Sequence, residues 1–233
     1  MNHNGAVVPE TGAALEDVFQ RLDQLNDIGA SLSDEHDIKL LLEKIVLAAK
    51  QITRADGGTL YSVTDDQSAL KFEILRTDSL GISLGGTTGK PIDLPLLPLR
   101  TADGGPNDSL VAAHAAIHDR TVNIADAYSA AGFDFSGTRA FDQRAGYHSQ
   151  SFLTVPMKNH DLELIGVLQL INARDPDTGE VITFSQADQS LAESLASQAA
   201  IALTNRLLIT QLERLFESFG NLINLAIDEK SPY

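Results

Sequence analysis

Hydrophobic and polar residues alternate along residues 151–157, and a nearly continuous apolar run follows at residues 164–171. Alternation with a period of two is typical of a half-buried β-strand. Residues 158–161 are polar and predict the turn between the two strands. Gln169 interrupts the second strand, and its amide needs a hydrogen-bond partner because an unpaired buried amide costs about 1–3 kcal/mol. The pattern therefore predicts a β-hairpin that holds one buried polar side chain.

Near the N-terminus, apolar residues recur at intervals of three and four, which is the spacing of a heptad seam. These positions predict a helix over residues 11–32. Its apolar face is expected either to pack on the domain that follows or to pair with another helix. The seam consists of Leu15, Val18, Leu22, Leu25, Gly29 and Leu32.

A longer helix is predicted at the other end, because Gly220 is the sole glycine or proline between Phe184 and Asp228 and Ser185 is placed to cap it. Residues beyond about 207 lie too far along the helix axis to pack on the same domain, at about 1.5 Å per residue. An apolar face left in water needs a partner, which the N-terminal seam or a second copy of the chain would supply. We expect a homodimer through the terminal helices, involving Leu15, Leu22, Ile209, Leu212, Phe216, Phe219 and Ile223.

Between these two helices, the patterns predict an α/β (α+β) fold. A central antiparallel sheet would carry the long N- and C-terminal helices on one face and lid helices and loops on the other. A second helix is expected to begin at a cap formed by Ser33 or Asp34 and to end at the segment Asp56-Gly57-Gly58. Further strands are predicted at residues 59–63, 70–75, 92–99 and 121–125, and further helices at residues 109–119 and within 132–146.

Composition narrows the class of partner. The 233 residues carry a net charge of −15, which disfavours nucleic acid and anionic membrane surfaces, since both select clustered Lys and Arg. No apolar run approaches the ~20 residues of a bilayer span, and the first residues lack the pattern of a signal peptide, so we expect a cytoplasmic chain with no membrane partner. The absence of cysteine excludes disulfides and thiol chemistry in this chain.

The run R-A-G-Y-H-S-Q-S-F-L-T-V-P at residues 144–156, followed by I-G-V-L-Q-L-I-N at residues 165–172, resembles the closing hairpin of a GAF domain. Residues 11–228 follow the order of elements of that family. The resemblance implies a small-ligand-sensing and dimerising module with no catalytic residues. Without cysteine, the methionine sulfoxide reduction and covalent bilin attachment found in some members are excluded.

The resemblance also implies a ligand pocket between one sheet face and the lid segments. Its expected lining combines apolar walls with a few donors and acceptors, which suits a small molecule or a cyclic nucleotide, and no cofactor is assigned. The alternative is that the aromatic residues fill the core and no pocket remains. The candidate residues are Ile124, Phe133, Phe135, Thr138, Arg139, Phe141, Asp142, Tyr147, Ser149, Ser151, Leu153 and Gln169.

Members of the family that bind cyclic nucleotides carry an N-K…F…D motif after the hairpin. Asn172, Phe184 and Asp188 stand at the matching positions, but Ala173 replaces the lysine. The resemblance therefore lacks the Lys–Asp ion pair of those members.

Other chemistry finds less support in the sequence. His114 and His118 are four residues apart on a predicted helix, the spacing at which two imidazoles can share a metal, but no H-E-x-x-H acid accompanies them. No metal ligands are assigned. A haem or metal sensor built on His114 or His148 remains an alternative, as does a dimerisation scaffold that binds no ligand. Ser149 and Ser151 lie beside His148, but adjacent residues on an extended strand alternate faces, which argues against a catalytic relay.

The last residues, A-I-D-E-K-S-P-Y at 226–233, resemble the start of HD-GYP domains, which are metal-dependent cyclic di-GMP phosphodiesterases. This second resemblance implies an HD-GYP domain in cis, which the sensory module would regulate. The expected division of the chain is a tail at 1–10, a signalling helix at 11–32, a GAF domain at 33–205, a linker helix at 206–226 and the start of a truncated HD-GYP domain at 227–233.

Overall fold

A computed structural model describes the backbone of residues 9–228 and the side chains of residues 16–220. Within these residues the chain forms five α-helices, one short 3-10 helix at Gly86–Thr88 and eight strands. In chain order they are α1 (Pro9–Ser33), α2 (Ile38–Thr53), β1 (Ala55–Val63), β2 (Ala69–Thr77), β3 (Ile82–Gly85), β4 (Leu97–Pro98), α3 (Val111–His118), β5 (Val122–Ile124), α4 (Ser136–Ala145), β6 (Phe152–Lys158), β7 (Leu164–Arg174), β8 (Val181–Ile182) and α5 (Gln186–Asp228).

The strands form one antiparallel sheet in the order β3-β2-β1-β7-β6-β5, with β4 beside β2 and β8 beside β7. The predicted hairpin is its centre, because β6 pairs with β7 over most of its length and places Thr154 opposite Gln169. The remaining edge of β7 pairs with β1, where Thr59 faces Gln169. The mixed fold built on an antiparallel sheet is therefore confirmed.

Helices α1, α2 and α5 cover one face of the sheet. Their apolar stripes meet alternate residues of the central strands in a single buried cluster. Full burial of one such aliphatic side chain contributes about 1.5–3 kcal/mol, so this cluster is the main source of stability. Its most deeply buried members include Leu41, Ile45, Leu60, Leu153, Leu168, Leu170 and Leu195.

The opposite face is covered by α3, α4 and the segments that connect them to the sheet, which we call the lid side. Ala112 and Ala116 of α3 pack on Tyr61, Leu70 and Val167 of the central strands. A second apolar cluster, built around an aromatic pair, lies beside it toward β5. The two faces of the sheet thus carry separate cores.

The boundaries of α2 differ from the prediction. Its N-cap is Asp37, whose carboxylate accepts a hydrogen bond from the Leu40 N–H at 3.0 Å, rather than Ser33 or Asp34. The helix ends at Thr53, because Arg54 takes a left-handed conformation. The glycines expected to end the helix lie inside β1, where a Cβ on Gly58 would come within 2.8 Å of Val46. Gly58 therefore allows the close approach of strand and helix.

The predicted strand at residues 92–99 is also wrong in extent, since only Leu97–Pro98 pairs with β2. Pro95 and Pro98 interrupt this run, and proline cannot donate to a strand ladder. The partner of the outer part of β2 is instead β3, a strand that the sequence did not predict, reached by a turn in which the Gly81 N–H donates to the Asp78 carbonyl.

The ends of the chain carry two further outcomes. Helix α1 begins at Pro9, inside the stretch expected to be a tail, and residues 1–8 lie outside the described part. Helix α5 is continuous over 43 residues up to Asp228, as predicted. Most of the segment that resembles an HD-GYP domain, residues 229–233, lies outside the described part as well.

Candidate functional site

The lid side brings several predicted pocket residues together as an aromatic cluster. Ile124 of β5 and Phe135, which precedes α4, are buried against Phe152 of β6. The ring centroids of Phe135 and Phe152 lie 5.4 Å apart, and those of Phe133 and Phe135 lie 6.4 Å apart. These distances are typical of favourable aromatic pairs. Phe152 was missed as a lid-side residue, although it alternates with Leu153 on the same strand.

Asp142 of α4 is a buried carboxylate, 2% exposed, that joins the helix to the entry of β6. It accepts hydrogen bonds from the N–H and hydroxyl of Ser149, at 2.7 and 2.8 Å, and from the Tyr128 hydroxyl at 2.8 Å. The hydrogen bond to Asp142 is the main reason that the pKa of Tyr128 is raised. Charge-assisted hydrogen bonds of this kind are strong, and three of them satisfy the buried carboxylate. Sequence reasoning placed Asp142 and Ser149 in one site, and they are in direct contact.

A second buried carboxylate, Asp56 of β1, lies at the end of the sheet. It accepts hydrogen bonds from the Tyr147 hydroxyl at 2.7 Å, the Ser79 hydroxyl at 2.6 Å and the Arg174 guanidinium at 2.8 Å. Burial acts to raise the pKa of Asp56, but these donors together outweigh it and lower that pKa. Burial and the nearby carboxylate raise the pKa of Tyr147. Asp56 therefore remains ionised and fixes the tyrosine of the predicted site.

Asn172 of β7 holds the strand entry in place from the other side. Its side-chain oxygen accepts hydrogen bonds from the Gln150 N–H at 2.7 Å and the Ser151 N–H at 3.2 Å. Its amide donates to the His148 carbonyl at 2.8 Å and to the Tyr147 hydroxyl at 2.9 Å. The backbone φ of Asn172 is 59°, a left-handed conformation that asparagine tolerates better than most residues. Asn172 thus positions residues 147–151 as a unit.

The buried amide predicted from the hairpin has its partners. The Gln169 amide donates to the Thr154 hydroxyl at 3.0 Å, and its oxygen accepts from the Tyr61 hydroxyl at 3.2 Å. Burial raises the pKa of Tyr61, so this hydroxyl remains a donor. These three side chains form a polar row across β1, β7 and β6 on the lid face.

Five predicted pocket residues are not brought to this position. Leu153 lies in the core under the terminal helices, on the opposite face of the sheet. Ser151 has the same orientation, and its hydroxyl donates to the Ile182 carbonyl at 2.7 Å. Arg139 and Phe141 are exposed on α4, while Thr138 is half-buried there. Because both faces of β6 are covered, its alternation did not show which face belongs to the lid side.

Two surface grooves lie elsewhere on the described part of the chain. One, of about 490 Å³, runs between the end of α2 and the loop that joins β7 to β8. Among its charged side chains, Lys50 pairs with Asp78 and Arg174 with Asp56. The other, of about 280 Å³, lies beside the β6–β7 turn. Neither groove is lined by the residues predicted to bind a ligand.

The partial N-K…F…D motif has a structural explanation. Phe184 is buried in the core under the terminal helices. Asp188 caps α5 by accepting hydrogen bonds from the N–H and hydroxyl of Ser185. Its other oxygen accepts a hydrogen bond from buried Arg21 of α1 at 2.5 Å. This chain has Ala173 at the lysine position of the motif, and Arg21 supplies the positive charge that pairs with Asp188 instead.

His148 does not form a buried ligand site. It is exposed, and its ring stacks 4.4 Å from that of Tyr128.

Among the helices of the described residues, none is both long and apolar enough to cross a membrane.

Comparison with known proteins identifies the chain at the level of family. The family model described as "GAF domain" matches residues 37–203, which is more than half of the chain. A curated relative, the dual 3',5'-cyclic-AMP and -GMP phosphodiesterase 11A of Takifugu rubripes, is 30% identical over 115 residues. That match covers 49% of this chain but only 12% of the relative.

Solved structures share the fold. The GAF domain of a phosphoenolpyruvate-protein phosphotransferase from Coxiella burnetii superposes with a TM-score of 0.61 at 15% identity, covering 83% of this chain and 98% of that one. The free methionine-R-sulfoxide reductase of Neisseria meningitidis, solved in complex with its substrate, superposes with a TM-score of 0.56 at 16% identity, covering 82% of this chain and 93% of that one.

Proposed function

Because the chain belongs to the GAF family, as the match over residues 37–203 shows, we propose that it is a dimeric sensory module that regulates an enzyme domain following it. The module itself carries out no catalysis in this proposal. One observation supports it above the others: a single helix, α5, both closes the core and extends beyond it with an apolar surface. A ligand or partner that changes the core can therefore act on the part of α5 that extends beyond the domain.

The exposed part of α5 carries a stripe of large apolar side chains at helical spacing, which we call the distal α5 stripe. Each member is about half exposed or more, and Phe216 is 73% exposed. An isolated helix with such a face is unfavourable in water, since apolar patches of this kind are typical of interfaces. The stripe consists of Leu208, Ile209, Leu212, Leu215, Phe216 and Phe219.

Helix α1 of the same chain does not cover this stripe. It runs parallel to α5, since Arg21 contacts Asp188 and Gly29 approaches Gln198. At the same rise per residue, α1 ends at Ser33, close to the level of Leu203. Leu22 of α1 is itself 41% exposed, and it lies near the start of α5, at the end of the α1–α5 contact that is remote from the stripe. A second copy of the chain is therefore the proposed partner of the distal α5 stripe and of the exposed face of α1 at Leu22. Two residues of the predicted interface, Leu15 and Ile223, lie outside the described side chains.

The dimer is tested by measuring the mass in solution by light scattering and sedimentation. We expect twice the 25.0 kDa mass of the chain at micromolar concentration. Phe216→Glu is expected to weaken the dimer at least about tenfold, because a charge buried in an apolar interface costs more than about 1.4 kcal/mol. Leu162→Glu is the matched control, since Leu162 is also 73% exposed but lies on the β6–β7 turn. A monomeric wild-type chain, or equal effects of both variants, contradicts the proposal.

Ligand binding is proposed at the lid side, where Asp142, Tyr147 and Ser149 are held by short hydrogen bonds beside the aromatic cluster. A cyclic nucleotide is the first class to test, because the curated relative is named as a cyclic-AMP and -GMP phosphodiesterase. A ligand that binds only the folded state raises the melting temperature by mass action. We expect a shift with one nucleotide that Ser149→Ala removes.

The second candidate is a dimerisation scaffold without a ligand. It is favoured by two observations: the side-chain polar groups of Asp142, Asn172 and Gln169 already have hydrogen-bond partners within the chain, and neither groove is lined by these residues. A flat melting temperature across nucleotides and common metabolites, with an intact dimer, supports this candidate instead.

The regulated domain is proposed to be an HD-GYP phosphodiesterase. The support is the sequence at residues 226–233 together with the unbroken course of α5 to Asp228, which points the helix toward that segment. The test joins an HD-GYP domain after Tyr233 and measures cyclic di-GMP hydrolysis. Insertion of two residues into α5 after Arg206 rotates the exit helix by about 200° at 3.6 residues per turn, and is expected to change the rate.

A further inference from the structure

Three side chains on the lid side converge at a position that the proposed function does not use. The carboxylate of Asp108 lies 3.0 Å from Nδ1 of His114 and 2.5 Å from Nε2 of His118. One potential ligand atom from each residue lies within 4.8 Å of the other two. The sequence showed the two histidines four apart without the acid of an H-E-x-x-H motif, and the structure supplies Asp108 from the preceding segment.

The convergence is held by the surrounding structure. Asn107, next to Asp108, is buried, and its amide donates to the Pro98 carbonyl at 2.8 Å. The Ser109 carbonyl accepts a hydrogen bond from the Asp134 N–H at 2.8 Å, which ties the same segment to the loop before α4. The ring of His114 meets Phe133 edge to face at 5.3 Å, which limits its rotation. Both the acid and the first imidazole are therefore positioned before any ligand arrives.

We propose that Asp108, His114 and His118 bind a zinc ion on the outer surface of the lid side, with a water molecule as the fourth ligand. The site is independent of the proposed dimer and of the lid-side ligand site, so its failure would leave both standing.

The donor set fits zinc. Two imidazole nitrogens and one carboxylate oxygen are among its preferred ligands, at about 2.0–2.2 Å from the ion. A tetrahedral arrangement at those lengths separates ligand atoms by about 3.3 Å. The Asp108 oxygen lies 3.0 and 2.5 Å from the two imidazole nitrogens, and all three atoms lie within 4.8 Å of one another, so small side-chain movements reach that arrangement. The side chains are 29 to 48% exposed, so the ion can enter and one coordination position faces solvent. The net charge of −15 also raises the local concentration of cations.

The consequence of binding is mechanical. His114 and His118 belong to α3, which packs on the central strands, whereas Asp108 belongs to the segment that crosses from β4. A shared ion would link the two and restrain the segment tied to the loop before α4. Zinc is therefore expected to stabilise the lid side without altering the terminal helices.

The test is a calorimetric titration of the tag-free, chelator-treated full chain with zinc chloride. We expect one zinc per chain, and His118→Asn is expected to weaken binding at least about tenfold through the loss of one ligand. His160→Asn is the matched control, because His160 also lies beside an exposed aspartate, 3.2 Å from Asp161, but belongs to no three-ligand cluster among the described residues. Circular dichroism confirms that each variant is folded.

A second measurement replaces zinc with cobalt(II), whose visible absorption distinguishes tetrahedral from octahedral coordination. An intense tetrahedral spectrum in the wild type that is lost in Asp108→Asn supports the site. The proposal is overturned if the wild type binds no zinc in the titration, if His118→Asn binds as the wild type does, or if His160→Asn loses binding equally.

Discussion

Buried charges in this domain are satisfied by hydrogen bonds that connect distant parts of the chain. Asp56 at the start of β1 contacts Ser79 after β2, Tyr147 after α4 and Arg174 at the end of β7. Asp56 itself is buried, so removal of one of its donors leaves part of the carboxylate without a partner, which costs more than the bond itself contributes. The Asp56 centre is therefore expected to control the stability of the strand entry at residues 147–151.

Acid is expected to weaken this centre. The pKa of Asp56 is lower in the folded protein than its usual value of about 3.9, so its stabilisation is complete above that value and is lost as pH falls through the folded pKa. Asp56→Asn is expected to lower the free energy of unfolding by about 1–3 kcal/mol at pH 7. Between pH 5 and 3, the variant is expected to lose less stability than the wild type does. Urea unfolding across that range measures both effects.

Asp65→Asn is the control for this experiment, because Asp65 is exposed in the β1–β2 turn. We expect its stability to remain near that of the wild type at pH 7. A wild-type acid dependence retained in full by Asp56→Asn would show that other carboxylates carry it.

At the scale of elements, close contacts between backbones explain why glycine occurs at particular positions. Gly166 lies in β7 opposite Ser62 of the paired strand β1, and a Cβ there would come 2.1 Å from the Tyr61 carbonyl oxygen. Gly29 lies where α1 meets α5, but a Cβ there would meet only the end of the Gln198 side chain. A strand backbone cannot move without breaking its ladder, whereas a glutamine side chain can adopt another rotamer.

Gly166→Ala is therefore expected to destabilise the domain by at least about 2 kcal/mol, as overpacking at a rigid contact does. Gly29→Ala is expected to be tolerated, because the gain in helix propensity, about 1 kcal/mol, offsets the displacement of Gln198. Chemical denaturation of the two variants gives the comparison. A reversed order of stability would contradict this account of the two contacts.

Helix α1 is also joined to the rest of the domain by charge. Arg21 contacts Asp188 at the start of α5 and donates to the Ile52 carbonyl at the end of α2 at 2.9 Å. Asp17 forms an ion pair with Arg54, which ends α2. The end of α2 and the start of α5 therefore meet at the middle of α1, so any rotation of α1 acts on the start of the helix that leaves the domain.

At the scale of the whole molecule, α5 divides into two parts with different environments. Up to Leu203 most of its apolar residues belong to the core under the terminal helices, whereas those from Leu207 to Phe219 are exposed. The segment of residues 207–219, which carries these exposed side chains, is about 20 Å long, given the rise of a helix. We therefore expect the stability of the domain and the proposed association of the chain to depend on separate segments of one helix.

Deletion of residues after Arg206 is expected to separate these properties. The truncated chain should remain folded, because every member of the main core precedes that point, but it should sediment as a monomer. Circular dichroism and sedimentation velocity measure the two outcomes. A truncated chain that unfolds, or that still dimerises, contradicts this division of α5.

The periodic parts of this chain were predictable from sequence. Alternation and heptad spacing are local properties, and they predicted the β6–β7 hairpin, α5 and the antiparallel sheet, while the residues of the hairpin identified the family. Irregular segments were predicted poorly, as β3 and the end of α2 show, because glycines that permit close packing resemble glycines that end a helix.

The contacts of the candidate site were decided by tertiary structure alone. Both faces of β6 are covered and both carry apolar residues, so only the packing shows that Phe152 faces the lid side and Leu153 the terminal helices. Asp56 meets Tyr147 across 91 positions, and Asp108 meets His118 across ten. Local periodicity reports the direction of a side chain within its own element. Its partners depend on how distant elements pack, which no short window of sequence contains.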